Sequence, residues 1–116
     1  MRVVNRTAIT LVGRAPYQEW AQKRDADFAK NTLTVARPKT HGGCVLLPEF
    51  ELEEDLVEWV EDNYGWLFEF QLAAWTGDES VWPEARDLTM FREWFRVEIH
   101  NTVVDVGDDD IEGDEL

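Results

Sequence analysis

The segment from His41 to Ala85 contains no lysine or arginine, yet it carries twelve carboxylates. It also holds four of the chain's six tryptophans, namely Trp59, Trp66, Trp75 and Trp82. Carboxylates keep a surface hydrated whereas tryptophans favour burial. A folded chain must therefore place the two residue types on opposite faces, or offer both to a partner.

Length and composition indicate a single domain. The chain has 116 residues, of which 44% are hydrophobic and 12% aromatic, and this is enough for one core. The only cysteine, Cys44, excludes an intramolecular disulfide and fits a reducing compartment. No run approaches the ~20 apolar residues of a membrane span, and the first residues lack the apolar stretch of a secretory signal. We expect a cytoplasmic protein that does not bind membranes.

The two parts of the chain have opposite charge. Residues 1–42 hold eight Lys or Arg and three Asp or Glu, whereas residues 43–116 hold three and twenty-two. The basic part can lie against the acidic part and relieve its self-repulsion. The net charge of −14 argues against direct binding of nucleic acid, because a polyanion would be repelled. A basic protein surface is the partner that this charge favours.

Three segments have the pattern of β-strands. Residues 6–13 alternate small or apolar side chains with polar ones and are rich in β-branched residues. Residues 44–47 form a short apolar run that Pro48 ends, as in a buried strand. Residues 96–106 alternate over their length, which predicts one half-buried strand.

Helices are predicted between these strands. Pro16 is placed to begin a short amphipathic helix that extends toward Phe28. Residues 52–75 show the strongest helical periodicity, and Gly65 is its weak point because a mid-helix glycine costs ~1 kcal/mol relative to alanine. The helix therefore either kinks there or forms two pieces. Asp87 is placed to cap a further helix of about two turns.

The order of elements predicts the fold class. Residues 31–43 and 77–86 are interpreted as loops, so the order is β-α-β-α-α-β. We expect an α+β domain over residues 1–106, with helices packed on a small, mostly antiparallel sheet of about three strands. Residues 107–116 carry six carboxylates and only two apolar side chains, and we expect this acidic tail to be disordered.

Several short stretches resemble a family of short acidic bacterial proteins with no assigned function. They are Val4-Asn5-Arg6-Thr7-Ala8, Leu47-Pro48-Glu49, Asp78-Glu79-Ser80-Val81-Trp82-Pro83 and Phe91-Arg92-Glu93-Trp94-Phe95, followed by Glu98 and His100. The resemblance covers most of residues 4–105. It implies a bacterial, cytoplasmic setting, and it implies no activity, cofactor or functional residue.

The acidic segment supplies the candidate binding residues. Trp20, Trp59, Trp75 and Trp94 are expected in the core, while Trp66 and Trp82 are candidate surface anchors for a partner. With the carboxylates around them they form the predicted binding set: Glu54, Glu58, Glu61, Asp62, Trp66, Asp78, Glu79 and Trp82. The leading hypothesis is a non-enzymatic protein that binds a basic partner as a regulator or inhibitor. A narrower form is nucleic-acid mimicry, in which the carboxylates imitate a phosphate backbone.

The alternative hypothesis is a small hydrolase or metal-assisted enzyme. Glu98 and His100 share one face of the last predicted strand and could form an acid-base pair or part of a metal site, with Cys44 or His41 from a neighbouring strand. A third ligand or a nucleophile in the usual pattern is missing, so we predict no cofactor, no metal and no catalytic residue. The sequence does not predict the oligomeric state.

Overall fold

A computed structural model describes residues 1–24 and 43–115. The elements within them are β1 (Arg2–Val4), β2 (Arg6–Gly13), α1 (Ala15–Arg24), β3 (Cys44–Pro48), α2 (Glu53–Asp62), α3 (Tyr64–Trp75), a 3₁₀ turn (Glu79–Val81), α4 (Leu88–Trp94), β4 (Phe95–His100) and β5 (Val103–Asp105). This is the α+β class that the sequence predicts. The predicted extension of the first helix toward Phe28 lies outside the described residues. The same holds for residues 31–42 of the predicted 31–43 loop, which include His41.

The main sheet has three antiparallel strands in the order β3-β2-β4. Ile9 of the central strand is paired with Val45 on one side and with Ile99 on the other. These residues lie on the face that joins the hydrophobic core, to which all four α-helices contribute. The opposite face is open, and Leu46 on it is 47% exposed.

The predicted strand over residues 96–106 is wrong as a single element, because a register change divides it into β4 and β5. In the main sheet Ala8 is paired with His100, whereas in a separate two-stranded ribbon Val4 is paired with Val103. Three residues on the N-terminal strand therefore face two on the C-terminal strand, which is the arrangement of a β-bulge. The ribbon adds two short strands, β1 and β5, to the predicted order.

The long predicted helix forms two pieces, and the break lies at Asn63 rather than at Gly65. The Asn63 side-chain amide donates a 2.8 Å hydrogen bond to the carbonyl of Trp59, which its own backbone N–H also contacts at 3.0 Å. An asparagine side chain that bonds the backbone four residues earlier competes with helix continuation. The Asn63 carbonyl then accepts the N–H of Leu67, so the same residue begins α3.

The core is centred on packed aromatic rings. Tyr17 and Phe68 are fully buried, and their rings lie 4.9 Å and 5.3 Å from that of Phe95. The Tyr17 hydroxyl donates a 3.1 Å hydrogen bond to the Gln71 carbonyl, which joins α1 to α3. Asp87 caps α4 as predicted, since its carboxylate accepts the N–H of Met90 at 2.8 Å.

The described C-terminal residues have no regular secondary structure. Residues 107–115 are exposed and contain no helix or strand. The division into a domain and a disordered tail stays a prediction. Among the described residues, no helix is both long enough and apolar enough to cross a bilayer.

Candidate binding surface

The outer face of α2 carries four of the predicted binding residues. Glu54, Glu58, Glu61 and Asp62 are spaced at i, i+4, i+7 and i+8, so they share one side of the helix, and all four are exposed. We call these four residues the acidic face. Leu56 and Val60, on the other side of α2, are buried in the core. The helix thus sorts carboxylates from apolar side chains as the sequence predicts.

Most of the acidic face has no cationic partner among the described residues. Glu61 Oε1 lies 2.9 Å from Arg92 Nη2, and this is the only ion pair that joins the acidic face to the residues that the structure describes. Glu54, Glu58 and Asp62 have no cationic partner within that part of the chain. Like charges one turn apart on a helix destabilise it by roughly 0.2–0.5 kcal/mol per pair. Within the described residues, the acidic face therefore carries more negative charge than its one ion pair neutralises.

Trp66 provides an exposed aromatic surface just beyond the acidic face. It lies in the first turn of α3, four residues after Asp62, and is 45% exposed. Its ring stacks on that of Phe70 at 5.5 Å with an interplanar angle of 15°. Phe70 in turn packs so closely on Gly43 that a side chain at residue 43 would require the Phe70 ring to move. The exposed Trp66 ring is thus packed on Phe70, which in turn contacts Gly43.

The other three predicted residues, Asp78, Glu79 and Trp82, form a separate group. They follow the C-terminal end of α3, and a helix of 12 residues is about 18 Å long, so α3 separates them from Asp62. Asp78 has a local role, because it accepts the Ser80 hydroxyl at 2.6 Å and the Ser80 N–H at 3.1 Å. The hydrogen bond from the Ser80 side chain, followed by that from its backbone, lowers the pKa of Asp78.

Trp82 is packed against the core and does not project freely from its loop. It is half-buried against the core, and its indole N–H donates a 3.0 Å hydrogen bond to the Thr76 carbonyl. The guanidinium of Arg86 lies 5.8 Å from its ring centroid. These contacts hold the loop after α3 in place. The predicted set therefore does not form one continuous surface, and the residues of α2 together with Trp66 are the better candidate.

A cleft of about 810 Å³ lies at the N-terminal end of α2. Its lining includes the carboxylate-bearing residues Glu49, Glu51 and Glu53, together with the apolar side chains of Leu56 and Ile99. We call this the acidic cleft. The acidic cleft is not predicted from the sequence. The alternation of acidic and apolar residues directly after Pro48 is the feature of the sequence that corresponds to it.

The residues of the alternative enzyme hypothesis lie on the open face of the main sheet. The Thr10 hydroxyl is 3.2 Å from His100 Nε2, and Arg96 donates a 2.8 Å hydrogen bond to Glu98. The register places Cys44 opposite Thr10, and Thr10 opposite Glu98, so β2 separates the cysteine from the glutamate by about 10 Å. Among the described residues there is no group of three or more potential metal ligands.

Comparison of the chain with protein-family models, with curated proteins and with solved structures finds no match. The resemblance to a family of acidic bacterial proteins therefore stays a prediction. The surface features that bear on function are the acidic face, the acidic cleft and Trp66. They lie mainly on α2, on α3 and on the loop before α2.

Proposed function

We propose that this protein is a non-enzymatic interaction domain that binds a basic segment of a partner protein through the acidic face and the acidic cleft. The observation that carries the proposal is the acidic cleft, whose lining combines Glu49, Glu51 and Glu53 with apolar residues. Lysine and arginine have the complementary structure, with an apolar stem and a charged head. A stem lying on Leu52, which lines the same cleft and is 57% exposed, would place its head near these carboxylates.

The acidic face extends the same chemistry along α2. An exposed ion pair contributes only ~0–1 kcal/mol, so no single carboxylate can hold a partner. Several of them act together on the rate of encounter and on specificity. Trp66 supplies the apolar contact that such a surface needs, because tryptophan is enriched among the residues that dominate binding energy. A regulator or inhibitor of a basic protein is the role that this combination supports.

The proposal is tested by charge reversal with a matched control. Capture of proteins from the native host, followed by identification and titration of the captured partner, is carried out at increasing salt. Replacement of Glu54, Glu58 and Asp62 by lysine is expected to weaken binding by at least about tenfold. The control replaces Asp108, Asp109 and Asp110 by lysine, which changes the net charge equally outside the two helices.

Two results contradict the proposal. One is the capture of no partner at low salt, where electrostatic attraction is least screened. The other is a partner whose affinity falls equally in both triple variants, since this would show a response to net charge alone. Circular dichroism melting of the two variants establishes that each one folds.

Nucleic-acid mimicry is the narrower form of the proposal, and competition distinguishes it. A partner that normally binds DNA or RNA through a basic groove would be displaced from this protein by added duplex or by RNA. If the partner has no affinity for nucleic acid, mimicry is excluded while binding to a basic protein surface stands.

A further inference from the structure

A second cleft, of about 390 Å³, lies further along α2, where this helix meets α4 and β4. Its apolar lining includes Val57, Val60, Val97 and Ile99. Val57 is 44% exposed, and Val97 and Ile99 are half-buried, so this apolar surface is open to solvent. We call it the arginine cleft, because three arginines also line it.

The three arginines come from different elements. Arg14 follows β2, and its backbone N–H donates a 2.7 Å hydrogen bond to the Trp94 carbonyl, which fixes it beside the end of α4. Arg92 belongs to α4 and Arg96 to β4. All three therefore lie toward the end of the cleft where β4 begins, while Ile99 lies further along that strand.

The guanidinium groups retain capacity for a further anion. Arg92 makes one 2.9 Å contact with Glu61, which also lines the cleft, and Arg96 makes one 2.8 Å contact with Glu98 on the open face of the sheet. Each guanidinium has five N–H donors, so a single contact leaves others unused. Arg14 has no ion pair with the residues that the structure describes.

The location of these charges is unusual for this protein. The net charge is −14, and residues 43–116 contain only three arginines, of which two line this cleft. The lining carries three arginines and one carboxylate, that of Glu61, so its net charge is positive and an anion is repelled less here than over the rest of the surface. A polyanion such as an acidic peptide or nucleic acid would extend over the acidic face of the same helix, where it would meet Glu54 and Glu58. A single negative charge on an apolar body avoids this repulsion.

The size of the cleft agrees with a small ligand. Sites for small molecules have volumes of ~300–1,000 Å³ and are lined by apolar side chains with a few charged or polar groups that fix orientation. We propose that the arginine cleft binds a small amphiphilic monocarboxylate. Its carboxylate contacts Arg14 and Arg92, and its apolar chain lies along Val97 and Ile99. This site shares Leu56, Glu61 and Ile99 with the surface of the proposed function. It holds an anion through arginines rather than a cation through carboxylates, so it does not depend on that proposal.

The test is a titration with decanoate, followed by isothermal calorimetry and by amide chemical shifts of the labelled protein. Two comparison compounds separate the contributions: acetate has the carboxylate without the chain, and decyltrimethylammonium has the chain with a positive head. All are used below the concentration at which they form micelles. Only decanoate is expected to bind with shifts confined to Arg14, α2, α4 and β4.

Variants test the residues directly. Arg14→Gln is expected to weaken decanoate binding by about tenfold, because it removes a charge-assisted contact. Val57→Ser should weaken it as well, and the exposure of Val57 allows the variant to fold. Arg86→Gln is the control, since Arg86 pairs with Glu69 and does not line the cleft.

Four outcomes would overturn the proposal. Equal binding of decanoate and decyltrimethylammonium would show detergent-like adsorption to apolar surface. An affinity that Arg14→Gln leaves unchanged, or an absence of decanoate binding, would exclude a role for the arginines. Tighter binding of a synthetic peptide with the sequence of residues 107–116 would assign the cleft to an acidic segment instead.

Discussion

Replacing Tyr17 by phenylalanine tests how α1 is held against α3. Tyr17 is 0% exposed, and its hydroxyl donates a 3.1 Å hydrogen bond to the Gln71 carbonyl. Gln71 is also 0% exposed, and its side-chain Nε2 lies 3.5 Å from the same hydroxyl. The substitution removes this oxygen and keeps the ring, so the packing against Phe95 is retained.

The magnitude follows from what the substitution leaves behind. Loss of one hydrogen bond reduces the free energy of unfolding by about 1 kcal/mol, and the loss approaches ~3 kcal/mol where a buried polar group is left unsatisfied. Gln71 is buried and has a further interaction besides this one, so we expect a loss of about 1 kcal/mol rather than ~3 kcal/mol. For a domain of about 100 residues, each kcal/mol lowers the melting temperature by roughly 4–8 °C.

The assay is urea unfolding followed by tryptophan fluorescence. The expected result is a lower midpoint with an unchanged denaturant dependence, which indicates a change in stability alone. The chain contains two tyrosines, and Tyr64→Phe is the matched control. Tyr64 is half-buried, and its hydroxyl makes no hydrogen bond with the described residues, so its loss should cost little. Equal midpoints for the two variants would refute this reasoning.

Three further predictions concern the packing at Gly13, the contact between Ser80 and Asp78, and the acidic tail. Gly13→Ala would place a Cβ 2.5 Å from a ring carbon of Tyr17, which is fully buried, and should cost about 1–3 kcal/mol in urea unfolding. Ser80→Ala should raise the pKa of Asp78 toward its ordinary value in an NMR titration, because the serine lowers it. The stability from this contact is present above the unfolded-state pKa of Asp78 and is lost as the pH falls through its lower folded-state pKa. Ending the chain after Val106 should leave the melting temperature unchanged or slightly raised, because it removes six carboxylates that repel an acidic domain. A drop of several degrees would instead show that the tail is structural.

The sequence by itself determines much of the local structure. The alternation over residues 6–13 predicts the central strand, because side chains of a strand point to opposite faces with a period of two. The capping aspartate before α4 and the acidic side of α2 are likewise local properties. The exposure of Trp66 also follows from periodicity, since this residue lies off the apolar stripe.

The tertiary structure decides what depends on residues distant in the chain. The bulge that divides β4 from β5 arises from the pairing with β1 and β2, and alternation within one strand cannot show it. The helix break at Asn63 depends on its side chain bonding the Trp59 carbonyl, which competes with a plausible break at Gly65. The strand order places β2 between Cys44 and Glu98, and so separates residues that the sequence alone could bring together.

The arginine cleft is a site that only the tertiary structure brings together. The arginine cleft combines Arg14 with Arg92 and Arg96, which lie some eighty residues further along the chain. In the sequence these arginines are isolated charges in unrelated segments. They converge because β2 pairs antiparallel with β4 and because α4 leads directly into β4. Composition and periodicity fix which faces are apolar or charged, but the positions of those faces relative to one another are set by strand pairing and helix packing.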